Sequence, residues 1–443
     1  MPKIVVLDGN DVPSPEDVAM LAAMYSRDPR SVLDHLVQVK QRGSAKFHEQ
    51  FYVGYGHKSI GDCGSTTVFF EGVSMLAAKA VQDTPLYNGQ EASTRYIDFS
   101  TQLILNPLAT PGGKAVQDAW MALYADTIAA LKPLLAERYP RQPDQKESVW
   151  TKAIAAKAFD IGRSLIPAGG TTNVAWHVNL RQAYDHSREM RNHPLPEIAG
   201  LGVGGIECLK EKYPSSFSHE AKLKDDKARE NYKAEEHYIA KSMTRFAYFA
   251  DTDAVDGFYA DFGKLDLRAM EPLGDLLASR PPRTELHQRF RQYGVITFKF
   301  LLDFGSYRDL QRQRSAVQEM PLLSMRHGFH PWYIEQMPLG TEAQIAAIGK
   351  LVERLPADDF TRQYYVPMGF RCPVVMTCPL PSAVYIAELR SGNTVHPTLR
   401  VIAQKMGEVL KKTIPELAMH HDMSPDSWNV RRGTQDIVKK ASA

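Results

Sequence analysis

Cysteine, net charge and long apolar runs are all scarce in this 443-residue sequence. The four cysteines, Cys63, Cys208, Cys372 and Cys378, are too few for a disulfide scaffold in a chain of this size. Cys372 and Cys378 lie six apart with no matching pair elsewhere, so no zinc pattern is present. Reduced, buried thiols are the expectation. A net charge of +2 gives no electrostatic argument for a nucleic-acid or membrane partner. No run approaches the ~18 apolar residues of a membrane span. Met1 to Asn10 carries no basic region followed by an apolar core, so no signal peptide is expected and a cytoplasmic location is. What remains is ordinary globular composition, 44% hydrophobic and 23% charged, on a chain long enough for two or three domains.

One stretch has the chemistry of a ligand loop: Asn88-Gly89-Gln90-Glu91-Ala92-Ser93-Thr94-Arg95-Tyr96. Gly89 permits a positive φ or a close backbone approach. Ser93 offers a hydroxyl, and Arg95 a permanently charged fork that suits phosphate. Glu91 can order the loop or accept from a sugar hydroxyl. On residue types alone, a polar surface turn explains the stretch as well. A second stretch, Arg308-Asp309-Leu310-Gln311-Arg312-Gln313-Arg314, is strongly basic. Arg308 and Arg312 are four apart and would also suit a solvated helix face.

Along the chain, Ser14 followed by Glu16 and Asp17 signals a helix start, with helical periodicity continuing in pieces to about Tyr55. Thr67 to Val73 reads as a strand and Ser74 to Gln82 as a buried helix ended by Pro85. Gly113 to Arg138 is a long helix with Trp120, Leu123, Ile128, Leu131 and Leu134 on its apolar side. Ser148 to Leu165 is another, stopping before Pro167-Ala168-Gly169-Gly170. A short apolar segment, Val174 to Val178, leads into a helix from Leu180 to Met190. The cluster Gly202-Val203-Gly204-Gly205 invites a dinucleotide reading, but it lacks the preceding strand and the full glycine spacing. Lys210 to Glu236 is charge-rich and apolar-poor, the best linker candidate. Beyond it the order returns: strand Gly294 to Phe304, helix Ser306 to Arg312, strand Phe370 to Thr377, helix Ser382 to Arg390, and a last helix Pro397 to Lys412. The recurrence indicates an internal duplication with α+β repeats: residues 1–213, a linker over 214–236, and residues 237–443.

These residues resemble the flavin-dependent thymidylate synthases. Gly56-His57-Lys58-Ser59, then Glu71-Gly72-Val73-Ser74, then Gln90 to Tyr96 stand in the order and spacing of that family's motifs. Arg163-Ser164-Leu165-Ile166-Pro167 is similar to its AR-x-x-LP stretch, Trp176 to Arg181 to its W-x-x-NxR, and Met190-Arg191 to its later LR. The first-half resemblance spans about residues 45–200. In the second half Ile296 to Phe300, Arg312-Gln313-Arg314, and Leu389-Arg390 with His396 resemble the family's strand, Arg-His-Arg and LR…H elements.

The resemblance implies two tandem repeats with helices packed on a mainly antiparallel sheet, in a pseudo-dimeric chain. It implies reductive C5-methylation of dUMP, or a related pyrimidine nucleotide, with FAD, with NADPH as reductant and with methylenetetrahydrofolate as one-carbon donor. Arg95, Arg191 and Arg390 take the catalytic positions. Glu91, Ser93, Arg95, Arg163 and Arg312 take the substrate positions. His57, Ser59, Gln90, Asn179, Arg181, Arg314 and His396 take the cofactor positions, although His396, before Pro397, also suits a helix N-terminus with no ligand. Asp62 stands where the family has a longer glutamate. The departures are complementary. Asp83-Thr84-Pro85 fills the Arg-His-Arg register of the first half, while the second half lacks Gly-His-x-Ser and carries Ser315 to Pro321 and Cys378-Pro379-Leu380-Pro381 in place of the nucleotide loop and NxR. One composite site per chain is therefore expected, with two chains pairing into a pseudo-tetramer and with no nucleic-acid or membrane partner. The competing expectation is a degenerate paralogue that binds nucleotide, flavin or a partner without turnover.

Overall fold

The computed structural model of the chain describes residues 5, 7, 9–12, 14–42, 58–95, 99–217, 228, 231–232 and 257–425. The class is α+β. Two helices, α1 (Pro15–Tyr25) and α2 (Val32–Arg42), precede β1 (Ser65–Ser74), α3 (Met75–Gln82) and β2 (Asn88–Glu91). Next come the long helices α4 (Pro111–Arg138) and α5 (Glu147–Gly162), then β3 (Thr171–Asn179), α6 (Leu180–Met190) and α7 (Pro196–Lys212). The second half holds β4 (Phe258–Asp261), β5 (Val295–Asp303), α8 (Phe304–Leu310), β6 (Val317–Glu319), α9 (Thr341–Glu353), β7 (Arg371–Pro379), α10 (Leu380–Ser391) and α11 (Pro397–Thr413).

The duplication is visible in the backbone. Residues 161–190 and 361–390 pass through the same succession of helix, turn, strand and helix, position for position. The sheets share an order as well, β1-β3-β2 in the first repeat and β5-β7-β6 in the second, with β4 added beside β5. Where a register is defined, neighbouring strands run antiparallel.

By packing, the chain forms two compact units, residues 1–73, 77–91 and 172–239, and residues 74–76, 92–171 and 240–443. Packing and sequence order thus divide the chain differently, because residues 92–171 of the first repeat pack in the second unit. The charged stretch proposed as a linker lies mostly outside the described residues, apart from the end of α7 and a turn of helix at Pro214–Phe217.

The first unit carries the three-stranded sheet. Ser14 caps α1 as its sequence indicates, accepting from the Glu16 N–H at 3.2 Å. Residues 88–91 form a strand, not the loop expected from their composition, and pair with Val174 to His177 of β3. Gly89 has no positive φ there. The Tyr87 side chain crosses it to donate to the Ala175 carbonyl at 3.2 Å, and a Cβ on Gly89 would strike both groups. Inside α7, Gly202 lies against the backbone of Ser187 and Arg191 at the end of α6 and Gly205 against the Ser187 side chain, so these two glycines serve helix packing.

The second unit carries the four-stranded sheet. Ile296, Phe298, Phe300 and Leu302 of β5 are fully buried. On α4, Trp120, Leu123, Ile128 and Leu131 face the core, but Leu134 is exposed and Leu135 takes the inner position. One residue is about 100° of helix, so the expected stripe drifts by that step over its last turn. Segments 164–171 and 364–371 meet about a local two-fold axis. Pro167 pairs with Pro367. Ala168 N–H donates to the Val366 carbonyl (2.9 Å) and Met368 N–H to Ile166 (3.0 Å). Gly169 N–H donates to Tyr364 (2.9 Å) and Gly369 N–H to Ser164 (2.7 Å). Each bond has its mate two hundred positions away, the signature of an isologous contact within one chain.

Two further expectations are corrected. The helix expected to reach Arg312 ends at Leu310, with Arg312 in the following turn. Cys372 and Cys378 are buried as expected, and burial pushes the Cys378 thiol up to about 12, but Cys63 and Cys208 are exposed.

Candidate active site

The charged side chains that converge all belong to the second compact unit, although the sequence supplies them from both repeats. The end of α5 and the turn that follows it provide two. Asp160 and the following Arg163 are three residues apart, so a helical path places both on one side. Asp160 holds Arg95 in a forked ion pair, Nε donating to Oδ1 at 2.7 Å and Nη2 to Oδ2 at 3.2 Å. The remaining Arg95 nitrogen, Nη1, donates to the Thr394 carbonyl at 3.4 Å.

Arg163 is buried, and its Nη2 donates to the Ser306 hydroxyl at 3.2 Å. Asp303, also buried, ends β5 and caps α8, with Oδ2 accepting from the Ser306 N–H at 2.9 Å and from the Tyr333 hydroxyl at 3.1 Å. Burial disfavours the Arg163 charge, but the groups around it, the Asp303 and Asp309 carboxylates among them, more than offset it and raise its pKa above the ordinary value. Burial first, and then the Asp303 carboxylate, push the Tyr333 phenol far up, so it stays a neutral donor. Gly305 lies between these charges, where an added Cβ would stand 3.2 Å from Asp303 Oδ2 and 3.4 Å from the Arg163 guanidinium.

His396 closes the cluster. It is fully buried and caps α11, Nδ1 accepting from the Thr398 N–H at 3.4 Å. Burial, reinforced by Arg163, Arg95 and His330, drives its pKa well below the ordinary value, so the ring is neutral. With Nδ1 accepting, the proton sits on Nε2 and points at the Asp160 carbonyl, 3.3 Å away. Thr398 Oγ1 stands 2.7 Å from the Ser306 hydroxyl, so a polar chain runs from Arg95 through Asp160 and His396 to Arg163.

The basic stretch lies beside this chain. Arg390 Nη2 donates to the Asp309 carbonyl at 2.8 Å. Burial alone would raise the pKa of the half-buried Asp309 side chain, but the Arg163, Arg95, Arg390 and Arg312 guanidiniums together hold it below the carboxylate range. Arg308 is buried with Nη1 3.1 Å from Met75 Sδ and 3.3 Å from Met368 Sδ. Burial and the nearby Arg312 lower its pKa to about 10, and it remains charged at neutral pH. The arrangement is a focus of guanidiniums held apart by carboxylates, chemistry that suits an anionic ligand recognised through two-pronged hydrogen bonds.

The residues singled out by sequence are brought together only in part. Arg95, Arg163, Arg312, Arg390 and His396 join the cluster. Ser93 sits next to it, its hydroxyl accepting from the Arg95 N–H at 3.3 Å. Glu91 accepts from Gln82 Nε2 at 2.8 Å, and Gln90 is an exposed strand residue. Asn179 caps α6 through the Gln182 N–H at 2.9 Å. Arg181 forms a forked ion pair with Asp62, at 2.7 and 2.8 Å. Arg191 caps the C-terminal end of α6. Arg314 is exposed in the turn after α8. His57 lies outside the described residues, as does the side chain of Ser59.

Sequence reading missed Asp160, Asp303, Tyr333 and Thr398. Asp160 could have been found from its spacing to Arg163, and Asp303 from its place between an apolar strand and a helix start. Tyr333, on a short helix at Pro331–Gln336, carries no local signal. Among the described residues no cluster could hold a metal ion, and no helix is long and apolar enough to cross a membrane.

Residues 9–215 match a family model described as thymidylate synthase complementing protein. The chain is also similar to proteins named UPF0159. The one from Chlamydia pneumoniae is 26% identical over 411 residues, covering 81% of this chain and 77% of its own. Its counterpart in Chlamydia muridarum is 25% identical, covering 82% and 78%. That of Thermoplasma acidophilum is 24% identical, covering 91% and 94%. The matches therefore run through both repeats, and these relatives are of the same double length.

Proposed function

Because the chain belongs to the thymidylate synthase complementing protein family, as an internally duplicated member, we propose that it is a flavin-dependent thymidylate synthase-like methyltransferase. The reaction is reductive C5-methylation of dUMP or a related pyrimidine nucleotide. A folate supplies the one-carbon unit, and NADPH supplies the reducing equivalents by way of FAD. The protein acts in the cytoplasm as a dimer of chains, a pseudo-tetramer without nucleic-acid or membrane partners.

One observation carries the reading: Arg95 and Arg163 from the first repeat face Asp309, Arg312 and Arg390 from the second. Such a focus suits a nucleotide phosphate and the carbonyl edge of a pyrimidine. At the position related to Arg163 by the local two-fold stands Gln363, whose Oε1 accepts from the Leu323 N–H at 2.9 Å. A charged focus on one side and an amide on the other suits one nucleotide per chain. For the flavin, Arg314 and Gln90 present exposed side chains, while Asn179 and Arg181 are engaged by their own chain. That engagement is what favours the second reading, a paralogue that binds nucleotide without turnover.

Absorbance and binding decide between them. The enzyme should purify yellow or take up FAD, be bleached by NADPH, and reoxidise with dUMP plus methylenetetrahydrofolate. It should bind one dUMP per chain, and Arg95→Ala and Arg314→Ala should each abolish nearly all turnover. Binding of dUMP with no flavin uptake would establish the second reading. Half-activity in either variant would mean separate sites in the two repeats and would sink the composite site.

A further inference from the structure

We propose that the C-terminal strap of the described chain, residues 417–424, positions Arg390, with Arg400 as the clamp. The proposal rests on the reading of Arg390 as a nucleotide-binding residue.

Arg390 lies in the last turn of α10, one residue before that helix ends at Ser391. Its reach to the Asp309 carbonyl depends on where that turn is held. The strap grips the turn on both sides of Arg390. On one side, the Ser391 hydroxyl accepts from the Asp422 N–H at 2.8 Å, and the Ser391 carbonyl accepts from Arg400 Nε at 2.7 Å. Arg400 is buried in α11, and its Nη2 reaches the Ser424 carbonyl at 2.7 Å, the Ser424 hydroxyl at 3.1 Å and Asp422 Oδ2 at 3.4 Å. One guanidinium thus ties the end of α10 to the strap, a use of the fixed fork that a lysine could fill only in part.

On the other side, Glu388 accepts from the His420 N–H at 2.7 Å and pairs with the buried Arg280, which also donates to the Ala418 carbonyl at 2.6 Å. Leu417 is fully buried, and Ala418 N–H donates to the Leu277 carbonyl at 3.1 Å, so the strap is anchored before it reaches α10. Its connection to the cluster runs through residues 388 and 391, which flank Arg390.

The test is dUMP affinity, read by equilibrium dialysis of the full chain, for Arg390→Met, Arg400→Met, the double variant and Arg400→Lys. Arg400→Met should weaken dUMP binding roughly tenfold, the scale of a displaced contact group. The double variant should bind no more weakly than Arg390→Met alone, because both changes remove the same contact. Arg400→Lys should recover part of the loss. Val352→Ala, a core truncation in α9, supplies the stability control, losing thermal stability while keeping affinity. Unchanged affinity in Arg400→Met, or losses that add in full, would overturn the proposal. Unchanged affinity in Arg390→Met would overturn the reading of the site and this inference with it.

Discussion

Arg163 and Asp303 should behave as one buried electrostatic unit. Arg163→Met removes the cation but keeps most of the side-chain volume. Asp303 is fully buried and would then hold a carboxylate served only by the Ser306 N–H and the Tyr333 hydroxyl, its Oδ1 having no hydrogen-bond partner among the described residues. Breaking a buried pair by removing one partner costs about 3–5 kcal/mol. That is a large share of the ~5–15 kcal/mol of a typical domain. Asp303→Asn keeps the cap, since asparagine caps as well as aspartate, but leaves the Asp309 carboxylate to offset the burial of Arg163. If the two charges support one another, the double variant should cost about 1–3 kcal/mol less than the sum of the single variants. The assay is urea denaturation followed by circular dichroism, with the denaturant slope checked for constancy across the four proteins. Single-variant losses under about 1 kcal/mol, or strict additivity, would show that the charges are solvated separately and that the buried cluster is not a unit.

Three other outcomes follow from the same geometry. His396 is held neutral in the folded chain, so the unfolded chain binds a proton as pH falls below about 6.5 while the folded chain does not. Stability should therefore decline with falling pH, by at most about 1.4 kcal/mol per pH unit from this group. His396→Asn should flatten that slope in denaturation curves at pH 7.5, 6.5 and 5.5, and an unchanged slope would contradict the assignment. Gly305→Ala should leave the chain folded but crowd Arg163 and Asp303 by a few tenths of an ångström, weakening dUMP binding with little loss of melting temperature; equal losses in both would point to a packing role only. Trp120→Ala should cost about 3–5 kcal/mol, because the ring is fully enclosed and its N–H donates to the Tyr365 carbonyl at 3.1 Å; a loss below about 1 kcal/mol would show that the site collapses around the gap.

Much of the fold was legible because its strands and helices carry strong periodic signals. The apolar run of β5 and the boundaries of α6 are local properties, and the recurrence of strand and helix in both halves follows from them. Asn88 to Glu91 misled because its polarity resembles a loop, whereas its backbone is recruited by β3, a long-range pairing that composition does not encode. At Gly202 the missing strand and incomplete glycine spacing were enough to set a dinucleotide aside, but the reason the residue is small, a neighbouring helix, is a long-range contact that the sequence does not encode. At the site, Arg95, Arg163, Arg312 and Arg390 could be named from motifs, but their counter-charges could not. Asp160, Asp303 and Tyr333 are distant in sequence from the arginines they serve or are served by, except for the one spacing between Asp160 and Arg163. Tertiary packing alone joins them.

Duplication explains why the losses are complementary. In a symmetric dimer, a substitution appears at both copies of a site, so an arginine cannot be given up on one side and kept on the other. Once two copies are fused, each position is free of its mate. The backbone still obeys the two-fold, as the reciprocal bonds around Pro167 and Pro367 demonstrate, while the side chains no longer do. Arg163 is matched by Gln363. His396, the cap of α11, is matched by Leu195, which stands before α7 and makes no side-chain capping bond. Asp303 sits in a buried polar network at the junction of β5 and α8, and Ser74 holds the same junction between β1 and α3. Charge is missing at two unrelated positions, Gln363 and Ser74, and retained at their counterparts, Arg163 and Asp303. Random decay would thin both sides alike, whereas one retained site requires that the surviving cluster stay whole. Restoring charge on the vacated side alone, as in Gln363→Arg, should therefore bury an uncompensated cation and destabilise the chain without raising the number of dUMP molecules bound per chain. A second bound equivalent in that variant would show that the vacated side had lost only its arginine.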